Sequence, residues 1–329
     1  MRTLDYLDKL QPDAVAICGY ATPDARACLR WCRRHRASAI LMTETREQDG
    51  ARVWWKEWIK ARIVRSFDGA LCGGSDARNY LEKLGMPAVR IAEGYDVVDN
   101  DYFATEAQKH RSTDPPVALY FLASGRFIER KNYGFLIEAY AAYVKRACSP
   151  TIDNRQPATA TWNLCLLGDG EQKTDLIAHC HRLGLNVIEA APWESNEAPS
   201  TKNQERNTVF FPGWRSHAEL PRFYAHAGAF VHPAVSEPWG LVVNEAMASE
   251  LPLLVSPGTG AVKSFFKEDC DQNLFSQDAQ IASEQMLEIS DAQHKPAEFD
   301  EAPWQTKLSE NAHQSAFGRV LAELLLLLY

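Results

Sequence analysis

The sequence predicts an α/β protein built from doubly wound parallel sheets. Short apolar runs alternate with longer amphipathic stretches from one end of the chain to the other. This alternation is typical of parallel strands joined by crossover helices. The chain has 329 residues, more than one hydrophobic core usually organises, so we expect two such domains in tandem.

Composition and charge exclude several other classes of protein. Hydrophobic residues make up 46% of the chain and charged residues 24%, as in folded proteins and unlike disordered ones. The formal net charge of −8 argues against nucleic acid as a partner. The eight cysteines form no Cys-x-x-Cys pair and no metal-like spacing with histidine. We therefore expect reduced thiols, no bound metal and a cytoplasmic location.

In the first domain, which we place at residues 1–113, helices alternate with strands. Apolar runs predict strands at Ala14 to Cys18, Ser38 to Met42, Gly69 to Cys72 and Ala88 to Ala92. Amphipathic stretches predict helices at Arg2 to Leu10, Pro23 to His35, Arg52 to Phe67 and Asp76 to Leu84. A polar helix to about Arg111 and the sequence Ser-Thr-Asp-Pro-Pro116 then predict a connection between domains.

The alternation restarts in a second domain, which we place at residues 114–310. Strands are predicted at Ala118 to Gly125, Asn163 to Leu167, Val209 to Phe211, Ala229 to His232 and Leu253 to Val255. Helices are predicted at Asn132 to Ala147 and Gln172 to Leu183. A polar insertion around residues 191–207 is expected to form a surface loop, with a recognition loop as the alternative. The apolar residues near the end predict a C-terminal helix over residues 311–329.

Two segments that follow predicted strands and open helices carry the candidate chemistry. The carboxyl ends of parallel strands lie at one edge of the sheet, where open α/β folds bind ligands. The first segment runs from Gly125 to Asn132. Its Arg126 and Lys131 place positive charge beside a helix start, which suits a phosphate or diphosphate. Two basic residues in a loop are also compatible with a solvated surface.

The second segment presents two carboxylates to one pocket. Glu237 lies in the loop, and Glu245 lies in about the second turn of the helix that begins near Gly240. A carboxylate accepts two hydrogen bonds, which suits the vicinal diol of a sugar or a ribose. The backbone N–H groups of Trp239, Gly240 and Leu241 lie at the start of that helix, where they would stabilise a phosphate.

Together these motifs resemble the signatures of the family 4 (group 1) retaining glycosyltransferases. The resemblance is carried by Glu-Pro-Trp-Gly-Leu-Val-Val-Asn-Glu-Ala-Met-Ala248, whose two glutamates are separated by seven residues, and by Gly-Arg-Phe-x3-Lys-Asn132 upstream. It implies the GT-B fold, in which two Rossmann-like domains face each other across a cleft. The later domain would hold a nucleotide-sugar donor, and the first domain would hold a glycan or lipid-linked acceptor.

Carried over to this sequence, the resemblance makes Glu237 the ligand of the donor hexose hydroxyls and Glu245 the ligand of the ribose diol. Arg126 and Lys131 would bind the diphosphate. With the helix start at Gly240, these cations would oppose the negative charge that develops as the bond to the sugar breaks. The implied reaction moves a sugar from a nucleotide-diphosphate sugar to a hydroxyl, with retention, in glycan or polysaccharide assembly. It implies no metal and no other cofactor.

Two features depart from the family pattern. Glu250 stands where the family usually has a glycine, so the helix before it would lose its usual left-handed residue. Relatives also carry a glycine-rich loop after the first strand, whereas this chain opens with a helix. We therefore expect an incomplete first domain that lacks that strand and loop. The alternative function is a non-catalytic sugar-nucleotide-binding remnant with a damaged acceptor domain.

A nicotinamide dehydrogenase is a third candidate that the doubly wound pattern allows. Neither Gly168-Asp-Gly170 nor Gly258-Thr-Gly260 continues into a complete dinucleotide-binding fingerprint. The pattern therefore disfavours a dehydrogenase.

Four further residues have both structural and functional interpretations. His232 ends a strand five residues before Glu237 and is either a donor ligand or a packed histidine. On the acceptor side, Glu44 follows a strand and is either an acceptor ligand or a capping residue. The N–H groups of Gly73 and Gly74 either face the ligand or form a simple tight turn.

The helix predicted at residues 52–67 carries an apolar stripe with helical spacing. Such a stripe most often packs on the core. Alternatively, because lysines and arginines lie beside it, it would dock the protein peripherally on an anionic membrane that bears a lipid-linked acceptor. The stripe consists of Trp55, Ile59, Ile63 and Phe67, widened by Trp54 and Trp58.

Overall fold

The computed structural model describes residues 3–115, 117–148, 161–194, 207–265 and 274–294. The chain forms two compact units that divide between Val98 and Asp99. Each unit contains one sheet in which neighbouring strands pair in parallel. The predicted α/β class with two Rossmann-like units is therefore confirmed.

The first unit is built on a four-stranded sheet with the order β1-β2-β3-β4. Its strands are β1 (Ala14–Cys18), β2 (Ser38–Thr43), β3 (Gly69–Cys72) and β4 (Ile91–Glu93). Its helices are α1 (Thr3–Leu10), α2 (Pro23–His35), α3 (Trp54–Val64) and α4 (Ser75–Lys83). The last strand begins later than the sequence predicts because Ala88–Arg90 form a 3-10 turn after Pro87.

Helix α3 corrects the expectation that its apolar stripe packs on the core. The C-terminal end does so, since Val64 and the following Phe67 are buried. Trp55 and Ile59 instead lie on the surface with 48% and 43% of their areas exposed. Val64 and Phe67 anchor one end of the helix, and the aromatic rest of the stripe faces away from the core.

The second unit is built on a six-stranded sheet with the order β10-β9-β5-β6-β8-β7. Its strands are β5 (Tyr120–Ser124), β6 (Asn163–Leu167), β7 (Asn186–Ile188), β8 (Thr208–Gly213), β9 (Ala229–His232) and β10 (Leu253–Val255). Its helices are α5 (Asn100–Thr113), α6 (Tyr133–Cys148), α7 (Lys173–Arg182), α8 (Leu220–His226), α9 (Leu241–Ala248), α10 (Gly260–Phe265) and α11 (Ala279–His294). The sequence pattern does not predict β7, because a half-buried edge strand of three residues is too short to show alternation.

Helix α5 packs within the second unit, although we placed it before the expected boundary at residue 113. Its Phe103 is fully buried and meets the Tyr224 ring edge to face, with centroids 5.8 Å apart. Its Arg111 guanidinium donates to the Ser249 carbonyl at the end of α9. Just beyond α5, Asp114 accepts a 2.7 Å hydrogen bond from Arg222 of α8. One buried ring and the hydrogen bonds at and just beyond the C-terminal end of α5 therefore attach it to the second unit.

Two sequence predictions fall outside the described residues: the C-terminal helix at 311–329 and most of the polar insertion, residues 195–206. The seven cysteines in the described ranges are free thiols. No helix in the described part of the chain combines the length and the hydropathy needed to cross a bilayer.

Helix α9 ends on a strained residue. Glu250 has φ of 58°, the left-handed conformation, and its N–H donates to the Met247 carbonyl. The next N–H, of Leu251, donates to the Ala246 carbonyl and closes the helix. The left-handed turn is thus kept without its glycine, at a cost of roughly 1–2 kcal/mol for a side chain with a Cβ.

Replacing Glu250 with glycine should therefore stabilise the protein by about 1 kcal/mol, because glycine adopts this conformation without strain. Thermal unfolding checks this as a rise in Tm. Glu250→Ala is the control, since it removes the same carboxylate, 3.8 Å from Arg111, and keeps the strain. An equal rise in Tm for the alanine variant would attribute the effect to the carboxylate and contradict the backbone explanation.

Candidate functional site

The two predicted segments meet because their preceding strands are neighbours. β5 pairs with β9 in the sheet of the second unit, although β9 follows β5 by three other strands in the chain. Residues 125–132 follow β5, and residues 236–248 follow β9. The carboxyl ends of neighbouring parallel strands lie side by side, so both segments emerge at the same edge.

At that edge Lys131 and Glu237 form an ion pair. Both are buried, with 9% and 8% of their areas exposed. Lys131 is held by a 3-10 turn, Glu129–Lys131, and Glu237 is fixed through its backbone N–H, which donates to the Gly258 carbonyl. Burial weakens the screening between the two charges, so each depends on the other for compensation. The sequence predicts both as catalytic residues, and the structure brings them together.

His232 completes this group. Its ring is fully buried at the end of β9, with Nε2 3.8 Å from Oε2 of Glu237. Burial, together with the positive charges of Lys131 and Arg130, lowers the pKa of His232 to about 3. The imidazole is therefore neutral at physiological pH, and its Nε2 has no hydrogen-bond partner among the described residues.

Gly125 provides the close approach at the end of β5. Its φ is 151°, and a Cβ at this position would lie 2.8 Å from the Tyr133 hydroxyl and 3.5 Å from Nζ of Lys131. Tyr133 is buried, and its hydroxyl has no hydrogen-bond partner within the described residues. Nothing in the sequence marks Tyr133 as a site residue, because a tyrosine in the first turn of an apolar helix is indistinguishable from a core residue.

Two glycine pairs brace the segments. A Cβ on Gly168 would overlap the carbonyl oxygen of Gly125, and one on Gly260 would overlap that of Pro238. The N–H of Phe127 donates to the Asp169 carbonyl at 2.9 Å, and the N–H of Gly260 donates to the Glu237 carbonyl at 2.9 Å. The Gly168-Asp-Gly170 and Gly258-Thr-Gly260 sequences thus position the two segments through direct backbone contact.

The start of α9 has the geometry expected of a phosphate site. Gly240 precedes the first helical residue with φ of 103°, Trp239 is buried, and Leu241 is 40% exposed. The first N–H groups of a helix have no partner within the helix, and the macrodipole makes this end positive.

Glu245 lies further along α9 and is held by Tyr224. The Tyr224 hydroxyl donates a 2.6 Å hydrogen bond to Oε2 of Glu245 and also interacts with the Ser124 hydroxyl at the end of β5. Burial raises the pKa of Glu245 to about 7, partly offset by the hydrogen bond from Tyr224. No sequence signal marks Tyr224, because it lies in a different helix, α8, with no motif around it.

Arg126 is placed differently from Lys131. Its side chain is exposed and forms no ion pair or hydrogen bond within the described ranges. The structure therefore joins Lys131 to Glu237, anchors Glu245 to the end of β5 and leaves Arg126 at the surface. In the described part of the chain, no three or more His, Cys, Asp or Glu side chains are grouped so as to hold a metal ion.

In the first unit, Glu44 and Gly73, two of the residues expected to face an acceptor, lie beside Asp96. A Cβ on Gly73 would lie 2.6 Å from Oδ2 of Asp96 and 3.3 Å from Cγ of Glu44. Burial, the charge of Glu44 and a hydrogen bond between the two carboxyl groups raise the pKa of Asp96. The N–H of Gly73 donates to the Thr43 carbonyl, so it does not face a ligand as one interpretation held. Gly74 precedes α4 with φ of 105°.

Part of the chain matches a family model of known proteins. Residues 193–303 match the family model described as glycosyl transferases group 1. The matched range holds Glu237, Glu245 and all of α9.

Curated relatives match at low identity. The lipopolysaccharide core biosynthesis glycosyltransferase LpsE of Rhizobium meliloti (strain 1021) is 24% identical over 264 residues, which cover 79% of this chain and 62% of LpsE. The sucrose-phosphate synthase of Zea mays is 24% identical over 259 residues, which cover 69% of this chain and 22% of that protein. The chain thus spans less than two thirds of the length of these relatives.

Solved structures match over nearly the whole chain. Anabaena HepE, in complex with UDP, has a TM-score of 0.70 and 16% identity, with 98% of this chain and 81% of HepE covered. S. aureus TarM, in a complex that includes UDP, has a TM-score of 0.67 and 16% identity, with 98% of this chain and 57% of TarM covered. These likenesses establish the fold class of the chain, which is GT-B.

Glu245→Gln should stabilise the ligand-free protein at high pH. The folded-state pKa of about 7 exceeds the usual 4.5, so the folded protein disfavours the ionised carboxylate. This cost is absent below about pH 4.5, grows as the pH rises and is complete above about pH 7. We expect the variant to gain about 1–3 kcal/mol at pH 8 and little at pH 5, measured as Tm differences.

Glu288→Gln on the surface of α11 is the matched control and should shift Tm little at either pH. A Glu245→Gln shift of the same size at both pH values would show that ionisation of this carboxyl group does not contribute.

Proposed function

We propose that this chain is a glycosyltransferase that moves a sugar from a nucleotide-diphosphate sugar to a hydroxyl acceptor in glycan or polysaccharide assembly. The observation that supports it most directly is the buried contact between Lys131 and Glu237 at the ends of two adjacent parallel strands. This contact places a cation beside a carboxylate. A nucleotide-sugar needs both, because a cation binds its diphosphate and a carboxylate binds its sugar hydroxyls.

Several buried polar groups beside this pair and in α9 lack hydrogen-bond partners within the described residues. Within the described residues, no hydrogen bond is made by the Tyr133 hydroxyl, His232 Nε2, Asn244 Oδ1 or Thr259 Oγ1. Buried polar atoms are normally hydrogen-bonded, so such a concentration is typical of a site that binds a polar ligand. The hydroxyl groups of a sugar both donate and accept hydrogen bonds. They could therefore bond to the neutral His232 ring and to the hydroxyl groups of Tyr133 and Thr259.

In the proposed mechanism the protein stabilises charge that develops on the leaving diphosphate. Lys131 and the N-terminus of α9 would contact the diphosphate, with Arg126 as a mobile second cation. Glu237 and His232 would orient the hexose, and Glu245 would bind the ribose diol. Retention of configuration rests on the family resemblance. We propose that no metal takes part, and unchanged turnover with EDTA would support this.

Binding of UDP is the first test, because the complexes of HepE and TarM contain UDP. We expect UDP or a UDP-sugar to raise the Tm of the protein and Glu245→Ala to weaken its binding, as measured by calorimetry. Absence of binding for UDP, GDP, ADP and their sugars would overturn the proposed function.

The charge pair predicts a specific pattern in a double-mutant cycle. Lys131→Met should destabilise the fold by about 3–5 kcal/mol, because it strands the buried Glu237 carboxylate. Adding Glu237→Gln should restore much of that stability. Turnover should not recover in either Lys131→Met or the double variant. Glu237→Gln alone should lower kcat about 100-fold, while the affinity for UDP changes little. Lys145→Met, an exposed lysine of α6, is the matched control for Lys131→Met.

Recovery of turnover in the double variant would contradict the assignment of both residues to catalysis. If UDP-sugars bind tightly to the wild type but no transfer or hydrolysis occurs, the protein is the sugar-nucleotide-binding remnant instead.

We further propose that Glu44 and Asp96 bind the acceptor, because both carboxyl groups lie at the carboxyl edge of the first sheet. Glu44→Gln should then lower transfer to the acceptor at least about tenfold while slow hydrolysis of the donor continues. Equal loss of transfer and hydrolysis would place Glu44 outside the acceptor site. The cytoplasmic location stays a prediction from the cysteine pattern.

A further inference from the structure

Helix α3 presents three tryptophans and an isoleucine to the outside of the first unit. The exposed fractions are 83% for Trp54 and 58% for Trp58, and Trp55 and Ile59 accompany them. Several large apolar side chains that adjoin one another on an exposed helix surface are unusual and mark a site of interaction. We call these four side chains, with the neighbouring Lys56 and Arg62, the tryptophan face.

The inner side of α3 explains why the helix is oriented this way. Glu57 accepts hydrogen bonds of 2.8 Å from Lys60 and 2.6 Å from the Tyr80 hydroxyl. Arg52 lies 3.8 Å from the same carboxylate. These polar contacts and the burial of Val64 fix the inner side of the helix to the unit. The tryptophans consequently point outward even though they are the more apolar residues.

The charge of the tryptophan face is positive. Nζ of Lys56 lies 5.5 Å from the centroid of the Trp55 ring, and Cζ of Arg62 lies 5.1 Å from that of Trp58. Glu57 is the one acidic residue in the α3 sequence, and it is engaged on the inner side. The exposed rings of α3 are thus accompanied by cations, in a chain whose formal net charge is −8.

We propose that the tryptophan face docks the protein on the surface of an anionic lipid bilayer. Tryptophan rings are enriched at the level of the lipid headgroups, and lysine and arginine beside them attract anionic headgroups. The complementary partner must have a negatively charged surface over an apolar interior. A bilayer of anionic lipids has both. Pairing of this face with a second copy would instead bring like charges together.

Vesicle binding tests the proposal. The full chain should sediment with vesicles of phosphatidylcholine mixed with phosphatidylglycerol and bind about tenfold more weakly to phosphatidylcholine alone. Trp54→Ala/Trp58→Ala should lower association with the anionic vesicles by about tenfold. Both rings are exposed, so circular dichroism and Tm should change little. Trp54→Ala alone should weaken binding more than Trp214→Ala, the matched control, whose ring is 75% exposed in the second unit.

Charge reversal separates this face from the net charge of the protein. Arg62→Glu should weaken binding to the anionic vesicles, whereas Lys145→Glu on α6, with the same change in net charge, should not. Equal losses from both reversals, unchanged binding of the double tryptophan variant or no binding by the wild type would each overturn the proposal. So would concentration-dependent dimerisation that only the tryptophan variant abolishes, since a second copy would then occupy the face.

The proposal extends the proposed function without depending on it. Vesicle binding is measured without donor or turnover, so failure here leaves the transferase assignment standing. If the protein proves not to be a transferase, the measured binding to vesicles is likewise unaffected.

Discussion

The pairing of β5 with β9 is the constraint on which the rest of the candidate site depends. The chain leaves β5 toward β6, passes through β7 at the far edge of the sheet and then β8, and returns to β9 on the other flank of β5. In doubly wound sheets, the loops on either side of such a reversal leave in opposite directions and a crevice opens between them. Lys131 and Glu237, far apart in sequence, become contacting neighbours because their strands are neighbours.

Once formed, that contact is expensive for the fold. Removing two charges from water costs several kcal/mol for each ion, and their attraction offsets this only with good geometry. The same region holds an uncharged buried histidine, His232, and a carboxyl group with a raised pKa, Glu245. An apolar core of the same size would be more stable. The concentration of such groups at one sheet edge is therefore typical of a site selected for binding and catalysis.

The sequence predicts most strands, and the position of both motif segments after strands, correctly because strand, loop and helix signals are local. It locates Lys131 and Glu237 at strand ends, and their contact follows from the topology that the family resemblance implies. Local signals cannot show which side chains of other elements meet the motif. Tyr224 holds Glu245 from α8, and Tyr133 faces Gly125 from α6, yet both look like core residues.

Helix α3 shows the same limit for a single element. Helical periodicity states which residues share a face, but not which face meets the protein. The choice is made by partners elsewhere, here by Tyr80 acting on Glu57. The polar helix α5 is the converse case, because it packs on the second unit through the buried Phe103 and Ala107 and through the hydrogen bond from Arg111 to the Ser249 carbonyl.

The glycines of Gly168-Asp-Gly170 and Gly258-Thr-Gly260, which do not form a complete dinucleotide-binding fingerprint, explain how the site keeps its shape. Gly168 and Gly260 have no side chain, so their loops contact the backbone of the two motif segments directly. A segment fixed through backbone contact does not depend on the rotamer of any side chain. Binding of a ligand therefore requires no free energy to order that segment. Lys131 and Glu237 are therefore mounted on segments that are in place before binding. The binding energy of the proposed nucleotide-sugar donor is then not reduced by ordering of these segments.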